Sequence, residues 1–217
     1  MTPPAVIARD LVQRFGARVA LGPINLAVRQ RERLAVLGGN GAGKTTLLRI
    51  LATAARPAAG HLELLGLDAI RQRERLRGRI GYLGHQPGLH PALTARETLE
   101  LFATLHGVVK DRVSERLAQV GLAEMAEERV ELLSRGQQQR LALARTVLHD
   151  PELLFLDEPD ASLDAEGRRL LGVLAEGRTL VMATHDRELA RQLCERALLL
   201  QSGRDRGDPW GLRVLEA

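Results

Sequence analysis

Residues 38–45 read GGNGAGKT, and no other stretch constrains the fold of this chain as strongly. They match G-x-x-x-x-G-K-[ST], with the apolar run RLAVL before them and the amphipathic run TTLLRILATA after. Such a loop curls its backbone so that successive N–H groups face phosphate oxygens, and the helix that follows adds its partial positive charge. Gly38, Gly39, Asn40, Gly41, Ala42 and Gly43 supply the loop. Lys44 is placed to reach the β- and γ-phosphates, Thr45 to give its hydroxyl to Mg²⁺, and Thr46 to support the α-phosphate. Composition strengthens the reading, because 29 of the 31 basic residues are arginine and Lys44 is one of only two lysines.

Around this loop short apolar strands alternate with amphipathic helices. VIARDLVQRF, INLAVRQ, RLAVLG, HLELLG and RIGYLG are strand candidates, followed later by ELLFLDE, TLVMATH and RALLLQ. Helical patterns fall between them, in QQQRLALARTVLH, AEGRRLLGVLAE and RELARQLCERA. The alternation predicts a mostly parallel sheet flanked by helices, with antiparallel strands at the N-terminus. From Pro87 to about Glu131 the pattern is helical, with LTARETLELFATLHG opening on a capping box between Thr94 and Glu97, then DRVSERLAQVGL and LAEMAEERV. The expected division is a core of residues 1–86 and 136–217 with an inserted helical subdomain at 87–135.

Further candidates lie at strand ends. LLFLDE is an apolar strand ending in two acids: Asp157 suits Mg²⁺ coordination and Glu158 suits polarising an attacking water. Gln86, in YLGHQPG, follows a strand edge where an amide can touch both metal and water. His185, in VMATHD, ends the penultimate strand, where such sheets hold their ligands. Phe15 is either a base-stacking aromatic or a core residue.

A second Ser-x-Gly turn, LSRGQ at 133–137, opens the helix QQQRLALAR. Together with GGNGAGKTT, Gln86, LLFLDE, ASLD at 161–164 and His185, it resembles the ATP-binding-cassette (ABC) ATPases over nearly the whole chain, LSRGQ standing for their LSGGQ signature. The resemblance implies a P-loop NTPase core and hydrolysis of ATP with Mg²⁺ held by Thr45, Gln86 and Asp157. It also implies two cassettes paired head to tail, either two copies or one copy with a similar ATPase subunit. Ser134, Gly136 and Gln137 of one would close over the γ-phosphate bound by the other. Glu158 would be the general base, His185 the γ-phosphate sensor and Asp164 a link between the two sites. Gln86 would connect the site to the helical lobe, which receives a transmembrane permease subunit on the cytoplasmic face of the cell membrane. Arg135 stands where a small residue is usual in the signature, and Asp160 where an apolar residue or threonine is usual, which bears on the packing of the loop before Asp164.

YLGHQPGLHPALTARETLELFATLHG is similar to the ATP-binding subunit of the haem exporter of cytochrome c maturation. It also resembles ABC-2-type export subunits for drugs, lipids or polysaccharide. A soluble ABC ATPase of iron–sulfur cluster assembly has the same size. Nucleic acid is not an expected partner: the net charge is +4, with 27 acids nearly balancing the bases, and aromatics are only 2%. The N-terminus lacks the basic and apolar regions of a secretory signal, and no apolar run reaches bilayer length. The single cysteine, Cys194, reads as a small buried residue.

Overall fold

The structure, a computed structural model, describes residues 3–210. The first two residues, and residues 211–217 of the C-terminal tail, lie outside the description. In chain order the elements are β1 (Val6–Phe15), β2 (Arg18–Val28), β3 (Arg33–Leu37), α1 (Lys44–Leu51), β4 (Ala59–Leu64), β5 (Leu67–Asp68), α2 (Arg73–Leu76) and β6 (Ile80–Leu83). There follow α3 (Ala95–His106), α4 (Asp111–Gln119), α5 (Arg135–Val147), β7 (Leu153–Asp157), α6 (Ala165–Ala175), β8 (Thr179–Ala183), α7 (Arg187–Leu193), β9 (Arg196–Gln201) and β10 (Arg204–Asp205).

Two sheets result. β9, β3, β8, β7 and β6 are parallel neighbours in that order, with β10 antiparallel on the β9 edge. β2, β1, β4 and β5 form a separate antiparallel sheet. Helix α1 packs between them: Leu47, Leu48, Ile50 and Leu51 join Val36, Phe155 and Val181 of one sheet and Val6, Leu11 and Leu62 of the other in one buried cluster. The opposite face of the parallel sheet is covered by α5, α6 and α7. Helices on both faces explain why β7 is buried at all five positions and reads as an unbroken apolar run up to Asp157.

The third cluster joins Ala95, Leu99 and Ala103 of α3, Val113 and Leu117 of α4, and Leu141, Ala144 and Leu148 on or just beyond α5. Helix α3 opens on the expected capping box, Thr94 accepting from the Glu97 N–H at 3.0 Å and Glu97 accepting from the Thr94 N–H at 2.8 Å. The segment between α2 and α5 is nevertheless less helical than its periodicity suggests. Residues 84–94 form a loop, and LAEMAEERV folds as successive turns ending in a short 3-10 turn at Val130–Leu132. Its apolar residues Leu122, Ala126 and Val130 are buried at helix-like spacing. Its carbonyls are used differently: Ala126 and Glu128 accept from the N–H groups of Arg96 and Ala95, which open α3 and have no acceptor within it.

β2 starts earlier than INLAVRQ, because Phe15 and Arg18 pair across a tight β1–β2 hairpin. At the other end of the chain, the β9–β10 turn is fastened to the phosphate loop. Gly203 N–H donates to the Ala42 carbonyl at 2.9 Å, and Gly22 N–H donates to the Gly203 carbonyl at 2.7 Å.

Candidate nucleotide site

The loop between β3 and α1 is built on backbone shapes that side chains resist. Gly38 has φ 156°, and a Cβ there would lie 2.5 Å from the Leu200 carbonyl. Gly43 takes φ 104° at the N-cap of α1 and offers no side chain to cap it. The first N–H groups of α1 are therefore left for a ligand, at the positive end of the helix dipole. All of Gly39 to Thr46 line a cavity of about 640 Å³, together with Phe15, Arg18, Val19, Ala20, His85, Glu158 and Ser202.

At the inner end Lys44 is only 7% exposed. Its Nζ donates to the Gly38 carbonyl at 2.8 Å and lies 3.3 Å from Glu158 Oε1. Glu158 adopts φ 49°, a conformation a non-glycine residue rarely keeps. Its own N–H donates to the Ala183 carbonyl at 2.8 Å, which extends the β7–β8 pairing one residue past the strand and fixes that turn. Glu158 Oε2 in turn meets His185 Nδ1 at 2.7 Å, although His185 is otherwise 75% exposed. Lys44, Glu158 and His185 thus form one chain of charge-assisted contacts at the C-terminal edge of the parallel sheet.

Asp157, the last residue of β7, is 1% exposed. Neither carboxylate oxygen has a hydrogen-bond partner. Burial pushes its carboxyl above the usual range; the Thr45 hydroxyl, His85 and Lys44 draw it down while Glu158 adds to the rise. An orphaned carboxylate beside a hydroxyl is donor chemistry that suits a hard divalent cation keeping most of its shell as water and phosphate. Among the described residues no group of three or more His, Cys, Asp or Glu side chains is placed to hold a metal.

Phe15 is 61% exposed and lines the cavity, so it is no core aromatic. Gln86 is exposed and does not line the cavity, whereas His85 does. β6 stops at Leu83 and the chain bends at His85 and Gln86, which leaves the residue nearer the strand edge at the cavity. The sequence alone singles out none of Arg18, Val19, Ala20, His85 and Ser202 as cavity residues. Arg18, Val19 and Ala20 follow Phe15 across the hairpin turn, a proximity the sequence does carry; Ser202 arrives by the β9–β10 turn and left no local signal.

The signature residues stand apart. Ser134 caps α5, its hydroxyl accepting from the Gln137 N–H at 3.3 Å while Gln137 Oε1 accepts from the Ser134 N–H at 2.8 Å. Neither they nor Gly136 lines the cavity. Asp164 accepts from Gly167 N–H at 2.8 Å as the N-cap of α6, and both its oxygens accept from Arg140 at 2.8 Å. Asp160 is buried and accepts from the Thr184 hydroxyl at 3.1 Å, so its unusual carboxylate is accommodated. Cys194 is buried at the end of α7, and burial raises its thiol to about 12, which excludes a thiolate nucleophile at neutral pH.

A glycine-rich strand–loop–helix turn with buried Lys44, and acids at the edge of a doubly covered parallel sheet, define a P-loop ATPase fold. Residues 21–161 match the ABC transporter family, and the chain belongs to it. It is 37% identical over 94% of its length to the daunorubicin resistance ATP-binding protein DrrA3 of Streptomyces coeruleorubidus, of which it covers 67%. It is 40% identical over 92% of its length to the phosphonates import ATP-binding protein PhnC of Anaeromyxobacter dehalogenans, of which it covers 44%. It is 33% identical over 93% of its length to the Nod factor export ATP-binding protein I of Ralstonia nicotianae, of which it covers 65%. The chain thus spans from under half to about two thirds of these relatives. Among solved structures, the ATP-binding cassette MJ0796, in a dimeric post-hydrolysis state bound to ADP and Pi, superposes with a TM-score of 0.86 at 28% identity, covering 98% of this chain and 99% of that one.

Proposed function

We propose that the chain is the ATP-hydrolysing subunit of an export-type ABC transporter, driving a separate membrane subunit through ATP-dependent head-to-tail pairing of two cassettes. The observation that carries this reading is the contrast between a cavity that gathers Lys44, Glu158 and the phosphate loop, and a signature turn that does not line it. A signature that does not reach its own nucleotide site has work only on another molecule's.

In this reading Phe15 stacks on the base and the N–H groups of residues 39–46 hold the phosphates. Lys44 moves from Glu158 to the entering phosphates, which leaves the Glu158 carboxylate as general base toward the attacking water. His185 keeps that carboxylate oriented and contacts the γ-phosphate. Thr45 and Asp157, with Gln86 after a rearrangement of its loop, would hold Mg²⁺, which when bound neutralises developing charge on the phosphates. Ser134, Gly136 and Gln137 complete the partner's site, so that loss of the γ-phosphate releases the pair.

Among the described residues no helix is long and apolar enough to cross a membrane; in this reading a separate membrane subunit supplies the passage. The names of the daunorubicin and Nod factor relatives favour an ABC-2-type exporter of drugs, lipids or polysaccharide. Haem export rests on the 82–107 segment alone, and the phosphonate relative supplies the opposing, import direction. The test is Glu158→Gln. It should bind ATP, lose turnover and elute as a dimer with ATP and Mg²⁺. A variant that stays monomeric with ATP and hydrolyses normally sinks the assignment.

A further inference from the structure

The chain's charge is not spread evenly. Residues 71–79 read RQRERLRGR, five arginines against one acid. Taking those from the 31 bases and 27 acids leaves 26 of each, so these nine residues hold the whole net charge of +4. They run from the turn after β5 through the short helix α2 and a 3-10 turn at Arg77–Arg79 into β6. Leu76, the one buried residue of α2, anchors the segment in the core, while Arg71, Arg75 and Arg77 are exposed.

Of the five, Arg79 is engaged within the fold: two of its nitrogens donate to the two Glu152 oxygens at 2.6 and 3.0 Å. Arg71 lies 3.9 Å from Asp68, and Arg77 lies 3.4 Å from the 82% exposed Glu74, contacts that water screens. Arg73, Arg75 and nearby Arg56 make no ion pair among the described residues. Arg73 Nε is buried without a hydrogen-bond partner. Arg56 and Arg73 border a depression with Ile70, which is 39% exposed. That depression holds about 10 Å³, against about 640 Å³ for the nucleotide cavity, and no aromatic residue lines it. It lies past the C-terminal end of α1, where Ile50 and Thr53 join its lining, whereas the cavity lies at the N-terminal end. The surface is thus cationic, shallow and tipped by one apolar side chain.

We propose that Arg56, Arg71, Arg73, Arg75 and Arg77, with Ile70, form a contact surface for anionic phospholipid headgroups that holds the subunit against the bilayer beside its membrane partner. This rests on the transporter reading above. A guanidinium matches the oxygens of a phosphate, and a negatively charged leaflet attracts each added basic residue. A plane of phosphates needs no groove, whereas an acidic peptide or a nucleic acid is held by a cleft or by stacking aromatics.

The test sediments the full chain with vesicles of phosphatidylcholine alone or mixed about 7:3 with phosphatidylglycerol. The chain should bind the mixed vesicles, ignore the neutral ones, and come off as salt is raised from about 0.1 to about 0.5 M. Arg71→Gln, Arg73→Gln, Arg75→Gln and Arg77→Gln combined should weaken vesicle binding at least about tenfold. ATP affinity should be unchanged, since none of the four lines the cavity. The same four positions as lysine should keep most of the binding, and Arg79→Gln should keep all of it. If the fourfold glutamine variant melts early, Arg71→Glu with Arg75→Glu, at exposed positions, decides in its place. Equal binding to neutral vesicles, no binding to anionic ones, or undiminished binding by the charge-removed variants would overturn the proposal. So would tighter binding to polyglutamate or to an oligonucleotide than to vesicles of the same charge. Pairing of Glu158→Gln with ATP but no vesicle binding removes the lipid surface alone. Vesicle binding by a Glu158→Gln chain that never pairs keeps the surface and removes the transporter reading.

Discussion

Two helices begin at glycine-containing turns, yet of the two only the turn before α1 lines the cavity. At α1 the cap is Gly43, which has no side chain, and the turn lies beneath the β1–β2 hairpin, the Glu158 loop and the β9–β10 turn. At α5 the cap is Ser134, which closes a reciprocal box with Gln137, and Ser134 and Arg135 are exposed. The helix dipole is common to both. What differs is enclosure: the first turn is walled by its own chain, and the second is a finished, self-capped face. Helix ends of the same physics become a pocket floor or an open face according to what surrounds them.

The comparison breaks most visibly at Lys44. Lys44→Ala removes the buried cation of α1 and should weaken ATP binding by the isolated chain about 100-fold, read by titration with a fluorescent nucleotide. Ser134→Arg is the matching change at α5. It should leave that binding intact and bring turnover to background; loss of binding would show that the signature acts on its own chain's nucleotide.

A smaller effect separates the two helices by pH. The ring of His149, two residues past the end of α5, stacks on His106 of α3 at 3.9 Å, and its Nε2 meets the Ile80 carbonyl at 3.0 Å. Burial, with His106 beside it, lowers His149 to about 4. The unfolded chain takes up that proton near pH 6.5, so the folded state is favoured fully above that value and loses ground as pH falls toward about 4. Allowing for partial exposure, the loss is on the order of 2 kcal/mol. Acid should therefore loosen the seam between α3 and α5 first. Near pH 5, ATP-dependent pairing of Glu158→Gln should weaken while nucleotide binding persists, as gel filtration and titration would show.

The smallest change sharpens the contrast further. Thr94→Ala and Ser134→Ala each delete one capping box, and each should cost about 1 kcal/mol in a denaturant melt. Only Ser134→Ala should also slow turnover. Equal loss of turnover in both would mean the Ser134 effect is stability alone.

What the sequence made legible follows from how local each signal is. The phosphate loop, its flanking strand and helix, LLFLDE and the Thr94–Glu97 capping box are contiguous patterns, and each lies where the pattern places it. The 122–130 stretch misleads because its burial has helical spacing while its carbonyls serve the first turn of α3. His85 and Ser202 reach the cavity through a bend and a hairpin whose partners are distant in sequence, and no single stretch records that meeting. Asp164 shows the same limit: its position in ASLD is readable, but its grip by Arg140 belongs to the folded chain.

The two hydrogen bonds that Gly203 makes, to Ala42 and from Gly22, set an order of assembly. The residues that floor the cavity are made early in synthesis, but the turn that braces them is among the last parts of the described chain to leave the ribosome. Contacts of such long sequence separation form late and slowly. A growing chain therefore carries a phosphate loop without this brace until the β9–β10 turn docks.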